Sequence, residues 1–139
     1  MPKTAIDLQL ASNSPRRKEL LTQMGVNFSV VANSVDESLQ TGETPRDYVS
    51  RLALAKARGG FALSWSNTPV LGADTAVVLG QQIFGKPSDA DEARSMLTAL
   101  SARKHSVVTA VAVTDGITSV SRVSVSEVTF RCIEACECR

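Results

Sequence analysis

Residues 69–79 read PVLGADTAVVL, and few structures can accommodate such a run. Val70, Leu71, Ala73, Val77, Val78 and Leu79 are apolar and rich in β-branching, which predicts a central buried strand. Asp74 stands in its middle. A carboxylate inside a buried strand is costly unless it is paired, hydrogen-bonded or bound to a cation. Asp74 is therefore either a metal ligand or general base in a site, or a structural aspartate satisfied by neighbouring backbone donors. Gly72 permits close backbone approach and Thr75 adds a hydroxyl.

A second constraint lies in residues 10–24, LASNSPRRKELLTQM, which read as a strand end, a tight polar turn and a helix start. Ser14 suits the N-cap, Pro15 the first helical position and Gly25 the stop. Leu20 and Met24, with Leu21 beside them, form one face able to bury against a sheet. Arg16 and Arg17 fall in the first turn, where exposed N–H groups and the helix dipole already disfavour cations. Phosphate would offset them, gripped by backbone donors and guanidinium forks, with Ser12, Asn13 and Ser14 letting a ligand approach. Pairing with nearby carboxylates such as Glu19 would offset them equally well.

Around these stretches the chain alternates strand and helix. Residues 6–12 predict the first strand and residues 27–32 the second, followed by the polar NSVDES with Asp36 and Glu37. Thr44, Pro45 and Asp47 predict a capped helix reaching about Gly59 or a little beyond, with Tyr48, Val49, Leu52, Ala53 and Ala55 as its apolar stripe. Lys56, one turn after Leu52, either snorkels to solvent or points into a phosphate site, and local spacing prefers the former. Gly80, Gln81 and Gln82 predict a turn returning through Ile83 and Phe84 to Lys86, whose backbone Pro87 keeps extended.

Ser88 or Asp89 then caps a third helix ending at Leu100, with Ala93, Met96 and Leu97 completing its core face. Residues 106–114 and 117–130 predict a hairpin about Asp115 and Gly116. Val123 and Val125 share one parity and Val128 and Phe130 the other, which predicts a bulge near Ser126 and Glu127. The sum is one α/β domain, a mixed sheet with flanking helices.

Composition narrows the partners. With 139 residues, 43% of them apolar, and a net charge of +1, the chain can form a core and lacks the basic surface that long nucleic acid requires. No apolar run approaches membrane-spanning length and residues 1–12 do not resemble a signal peptide, so no membrane and a cytoplasmic location are expected. Cys132, Cys136 and Cys138 crowd the end, and the lone histidine, His105, is not near them in sequence, so a reactive tail is expected rather than a metal site.

Taken in order, LASNSPRRKELL, the acidic VDES loop, the LALAKA helix, GADTAVVL and the GKP segment resemble the Maf family of nucleoside triphosphate pyrophosphatases. The resemblance covers residues 8–131. It implies an inosine-triphosphate-pyrophosphatase-like (Maf/Ham1) fold, and hydrolysis of a nucleoside triphosphate to monophosphate and pyrophosphate with divalent Mg or Mn. By position it implies Ser12, Ser14, Arg16, Glu37, Lys56, Asp74 and Lys86 around the triphosphate. Asp74 would be the proton acceptor, and Glu37 and Asp74 the metal ligands.

Arg17 after SPR and Thr75 after GAD resemble the subgroup acting on dTTP and UTP. After SEVTFR the family pattern runs on through a helix and a glycine-rich stretch, whereas this chain ends CIEACECR, so residues 132–139 are expected to be a non-family tail on a fold incomplete at its C-terminus. Such a chain would expose core surface, lose stability or activity, or form a homodimer. A nucleotide-binding remnant without turnover and a septum-related regulatory protein are the other functions the resemblance allows.

Overall fold

The computed structural model describes residues 6–12, 14–31, 35–64, 67–80, 82–84 and 89–132. Its strands are β1 (Leu8–Leu10), β2 (Phe28–Val30), β3 (Val70–Leu79), β4 (Gln82–Phe84), β5 (Lys104–Thr114) and β6 (Ser119–Thr129). The helices are α1 (Pro15–Gln23), α2 (Pro45–Leu63) and α3 (Ala90–Leu100). Each begins where local chemistry predicts: Ser14 Oγ accepts from the Arg17 N–H, Thr44 Oγ1 from Asp47 and Asp89 from Glu92. Between Ser88 and Asp89 it is Asp89 that caps α3.

The sheet runs β2-β1-β3-β5-β6, with β4 also paired to β3. Parallel pairing joins β2, β1 and β3, and antiparallel pairing joins β3 to β4 and β5 and β5 to β6, so the sheet is mixed as expected. β3 is central. Its even-numbered residues face α2, where Val49, Leu52, Ala53 and Ala57 pack with Ala76, Val78, Val108, Ala110 and Ala112 in the core.

Small side chains let helix and sheet approach unusually closely. A Cβ on Gly72 would lie 2.5 Å from the Ala57 nitrogen and nearer still to the Ala53 carbonyl oxygen. Glycine is thus required there by contact and not by backbone conformation. At the far end of α2, Gly116 turns the β5–β6 hairpin at φ 90° with its Cα against the Phe61 ring.

Three sequence expectations are corrected. Leu20 and Met24 are 51% and 73% exposed, and Leu21 alone is buried in α1, so the helix meets the sheet through a narrower contact than its apolar pattern suggests. The second helix runs a little beyond Gly59, as expected, to end at Leu63, and Gly60 packs on Ala11 and Val70, where a larger residue would not fit. In α3 only Leu100 is fully buried, Ala93, Met96 and Leu97 being half-buried.

The expected bulge is absent. β5 and β6 keep one register from Lys104 opposite Thr129 to Thr114 opposite Ser119. The change of parity instead reflects an edge strand partly covered on both faces. Val123 packs toward the α2 cluster, while Val128 lies beside His105, whose ring meets Phe130 edge-on at 4.6 Å.

Candidate active site

β1 pairs with β3 only as far as Leu71, and β4 pairs with β3 only from Val77 to Leu79. Among the described residues, positions 72–76 of β3 therefore have a strand on the β5 side only. Into this gap runs the turn from β1 to α1, with Ala11 N–H donating to the Leu71 carbonyl before the chain leaves the sheet. Of the predicted site residues, Ser12, Ser14, Arg17 and Thr75 are joined here on one side, and Glu37, Lys56 and Asp74 on the other. Because side chains alternate along a strand, Asp74 and Thr75 serve opposite faces.

On the α1 face, Arg17 Nη2 donates to Thr75 Oγ1 at 3.1 Å, and Thr75 Oγ1 lies 3.1 Å from Thr109 Oγ1, directly across the strand pair. Ser12 Oγ accepts from the Ser14 N–H at 3.1 Å and from Arg17 Nη1 at 3.5 Å. Arg17 is thus folded back over the helix start, while Arg16 is exposed beside it. Of the two outlets open to the arginines, the carboxylate Glu19 is not the one Arg17 takes. Thr109 was not foreseen, since nothing in VVTAV distinguishes it from an ordinary strand threonine.

On the α2 face, Asp74 is 7% exposed, and its Oδ1 accepts from Lys56 Nζ at 2.9 Å. The same nitrogen lies 3.0 Å from Glu37 Oε1. Lys56 therefore does not snorkel to open solvent, the outcome its local spacing favoured; it bridges two carboxylates from distant parts of the chain. Burial raises the Asp74 carboxyl above its ordinary value, the Lys56 hydrogen bond and charge oppose this, and the Glu37 charge adds to it. Burial alone would depress Lys56, but its bonds to Asp74 and Glu37 outweigh burial and hold it above the ordinary lysine value. One ammonium serves two carboxylates, so the lysine gains while Asp74 stays short of compensation.

Arg17 also favours the ionised form of Asp74, more weakly than Lys56 does. Glu37 itself has a side chain about half exposed, on a loop without regular structure. Among the described residues no three His, Cys, Asp or Glu side chains converge. Two carboxylates are nevertheless the usual protein share for magnesium bound together with substrate phosphates. Lys86 lies outside the described residues, as do Asn13, Cys136 and Cys138.

A helix start flanked by hydroxyls and guanidinium groups thus lies across β3 from two carboxylates bridged by Lys56, on a mixed α/β sheet. That sheet is shared with the Ham1 protein of Staphylococcus aureus, which superposes with a TM-score of 0.58 over 88% of this chain and 70% of that one; at 15% identity the likeness concerns the fold alone. The chain belongs to the Maf-like protein family, whose model matches residues 7–139.

A relative from Yersinia pestis named dTTP/UTP pyrophosphatase is 47% identical over 130 residues, which are 94% of this chain and 66% of that protein. One of the same name from Shewanella denitrificans is 50% identical over 128 residues, and one from Escherichia coli K12 is 47% identical over 124. The chain spans 63–66% of the length of these relatives. No helix among the described residues is long and apolar enough to cross a membrane.

Proposed function

We propose that this chain hydrolyses nucleoside triphosphates, dTTP and UTP foremost, to the monophosphate and pyrophosphate. The observation that carries the reading is Asp74, a carboxylate buried in mid-strand and linked through Lys56 to Glu37, one residue before Thr75, which takes Arg17 from the α1 start on the other face of β3. The names of the relatives support the substrate pair. Such a substrate belongs to the nucleotide pool, hence to the cytoplasm.

In this reading the phosphates lie against the α1 N-terminus, where backbone N–H groups, the Ser12 and Ser14 region and the two arginines neutralise their charge. Asp74 accepts a proton from the water that opens the α–β phosphoanhydride, and its burial suits a base whose affinity for the proton exceeds that of a surface carboxylate. Glu37 and Asp74 would hold a divalent cation, Mg or Mn, as two hard oxygen donors on one side of the triphosphate. When bound, that cation supplies charge neutralisation on the phosphate oxygens. Lys56 keeps the two carboxylates together, and Lys86 is proposed as a further phosphate contact from the GKP segment.

The test is pyrophosphate release by the 139-residue chain from a panel of nucleoside triphosphates with magnesium or manganese. Release fastest from dTTP and UTP, and lost on chelation, is expected; no release from a folded chain would overturn the reading in favour of a binding remnant. Specificity is assigned to Arg17 and Thr75, which share a hydrogen bond on the α1 face. Arg17→Ala should compress the preference for dTTP and UTP over purine triphosphates by about tenfold, the worth of one charge-assisted hydrogen bond. An unchanged ranking of kcat/KM values would remove Arg17 from that role.

A further inference from the structure

Glu37 sits on an irregular stretch, residues 35–40, with a side chain half exposed, yet its carboxylate meets Lys56 at 3.0 Å. It faces a like charge in Asp74, which raises the question of what keeps so exposed a loop in place. The loop's own chain offers little. Asp36 Oδ1 accepts from the Ser38 amide at 2.9 Å and its hydroxyl at 2.6 Å, which shapes the turn without attaching it to anything else.

Attachment comes from the first half of α2. Tyr48 is 8% exposed, and its Oη donates to the Glu37 carbonyl at 2.6 Å. One turn on, Arg51 Nη2 donates to the Ser38 carbonyl at 2.9 Å. Arg51 is itself fixed by a bidentate pair with Glu43, Nε to Oε2 at 2.6 Å and Nη2 to Oε1 at 3.0 Å, and its guanidinium stands 5.7 Å from the centre of the Tyr48 ring. Tyr48, Leu52 and Lys56 follow one another at four-residue steps along α2. A single helix thus carries both the tether for the Glu37 backbone and the cation for its carboxylate.

We infer that Tyr48 and Arg51 are positioning residues that hold Glu37 beside Asp74 before any ligand arrives, so that the carboxylate pair is assembled in advance for a divalent cation. The inference rests on the functional reading above for the identity of the cation, but the tether itself does not. Preorganisation of this kind acts on ligand affinity, because the loop is already ordered when the cation binds.

Tyr48→Phe keeps the ring in its pocket and removes only the donor, and Arg51→Met serves as an independent second variant. In the full chain, amide hydrogen exchange in residues 35–40 should quicken several-fold in Tyr48→Phe while the residues of α2 exchange as before. Manganese binding, followed by water-proton relaxation with Mn(II) as the probe, should weaken about tenfold. KM for dTTP at saturating metal should stay within twofold, which separates a tether from general damage to the fold. Unchanged exchange and unchanged manganese affinity in both variants would overturn the inference. Absence of pyrophosphate release from the unaltered chain would overturn the functional reading alone, because the exchange comparison requires no turnover.

Discussion

Asp74→Asn is expected to reduce pyrophosphate release by roughly 10²–10⁴-fold, the usual worth of a positioned general base, while leaving the chain at least as stable as before. The stability half follows from the electrostatics. Burial first, then the charge of Glu37, raises the Asp74 carboxyl above its ordinary 3.8, and Lys56 and Arg17 only partly oppose this. A carboxyl that binds its proton more tightly in the fold than in the unfolded chain favours folding most when protonated, below pH 3.8, and loses that advantage as pH rises through its folded value.

At neutral pH the wild-type chain therefore carries a charge at a cost, whereas asparagine does not. The thermal midpoint of the variant should equal or exceed that of the wild type at pH 7, and the difference should shrink as pH falls toward 4. Residual activity near wild type would remove Asp74 from the proton-accepting role. A large fall in midpoint at pH 7 would mean that Lys56 compensates its charge more fully than the geometry suggests.

Gly72→Ala should be strongly destabilising for a single added methyl. The added Cβ would meet the backbone of α2 at Ala53 and Ala57, and neither can swing away as a side-chain tip can. Overpacking of this kind costs up to about 3 kcal/mol, and a rigid backbone partner places this site at the upper end. A fall in thermal midpoint of roughly 10 °C is expected. Lys56 adjoins Ala57, so displacement of α2 should also weaken the Lys56 bridge and slow turnover in whatever fraction stays folded. A midpoint within a few degrees of wild type would show that helix and sheet can separate more easily than the close contact implies.

What was legible in the chain beforehand was whatever depends on near neighbours. Ser14, Thr44 and Asp89 cap helices because an oxygen three residues from an unpaired N–H reaches it whatever the rest of the protein does. Asp115 and Gly116 turn a hairpin for the same local reason. The Asp74 anomaly was legible too, since a carboxylate in an apolar strand demands a partner. The identity of that partner was not, because Lys56 and Glu37 are brought to it by helix-on-sheet packing.

Misreadings arose where one pattern fits two environments. The valines of β6 change parity whether the strand bulges or is half covered on both faces, and only the register with β5 decides between them. Leu20 and Met24 form a helical stripe, but how much of a stripe is covered depends on how the helix lies on the sheet. The preference for a solvent-seeking Lys56 weighed one helix in isolation, and two acidic side chains from elsewhere reversed it.

The order of strands and helices, the caps and turns between them and the presence of a charged group in the central strand were determined by the sequence alone, through periodicity, capping geometry and the cost of an unpaired buried carboxylate. Tertiary structure decided the rest. Among the described residues it left β3 a strand on one side only at positions 72–76, sent Asp74 and Thr75 to opposite faces, and assigned Lys56 to one and Arg17 to the other. These are pairings between groups tens of residues apart, and their energies exist only once the sheet and α2 have packed.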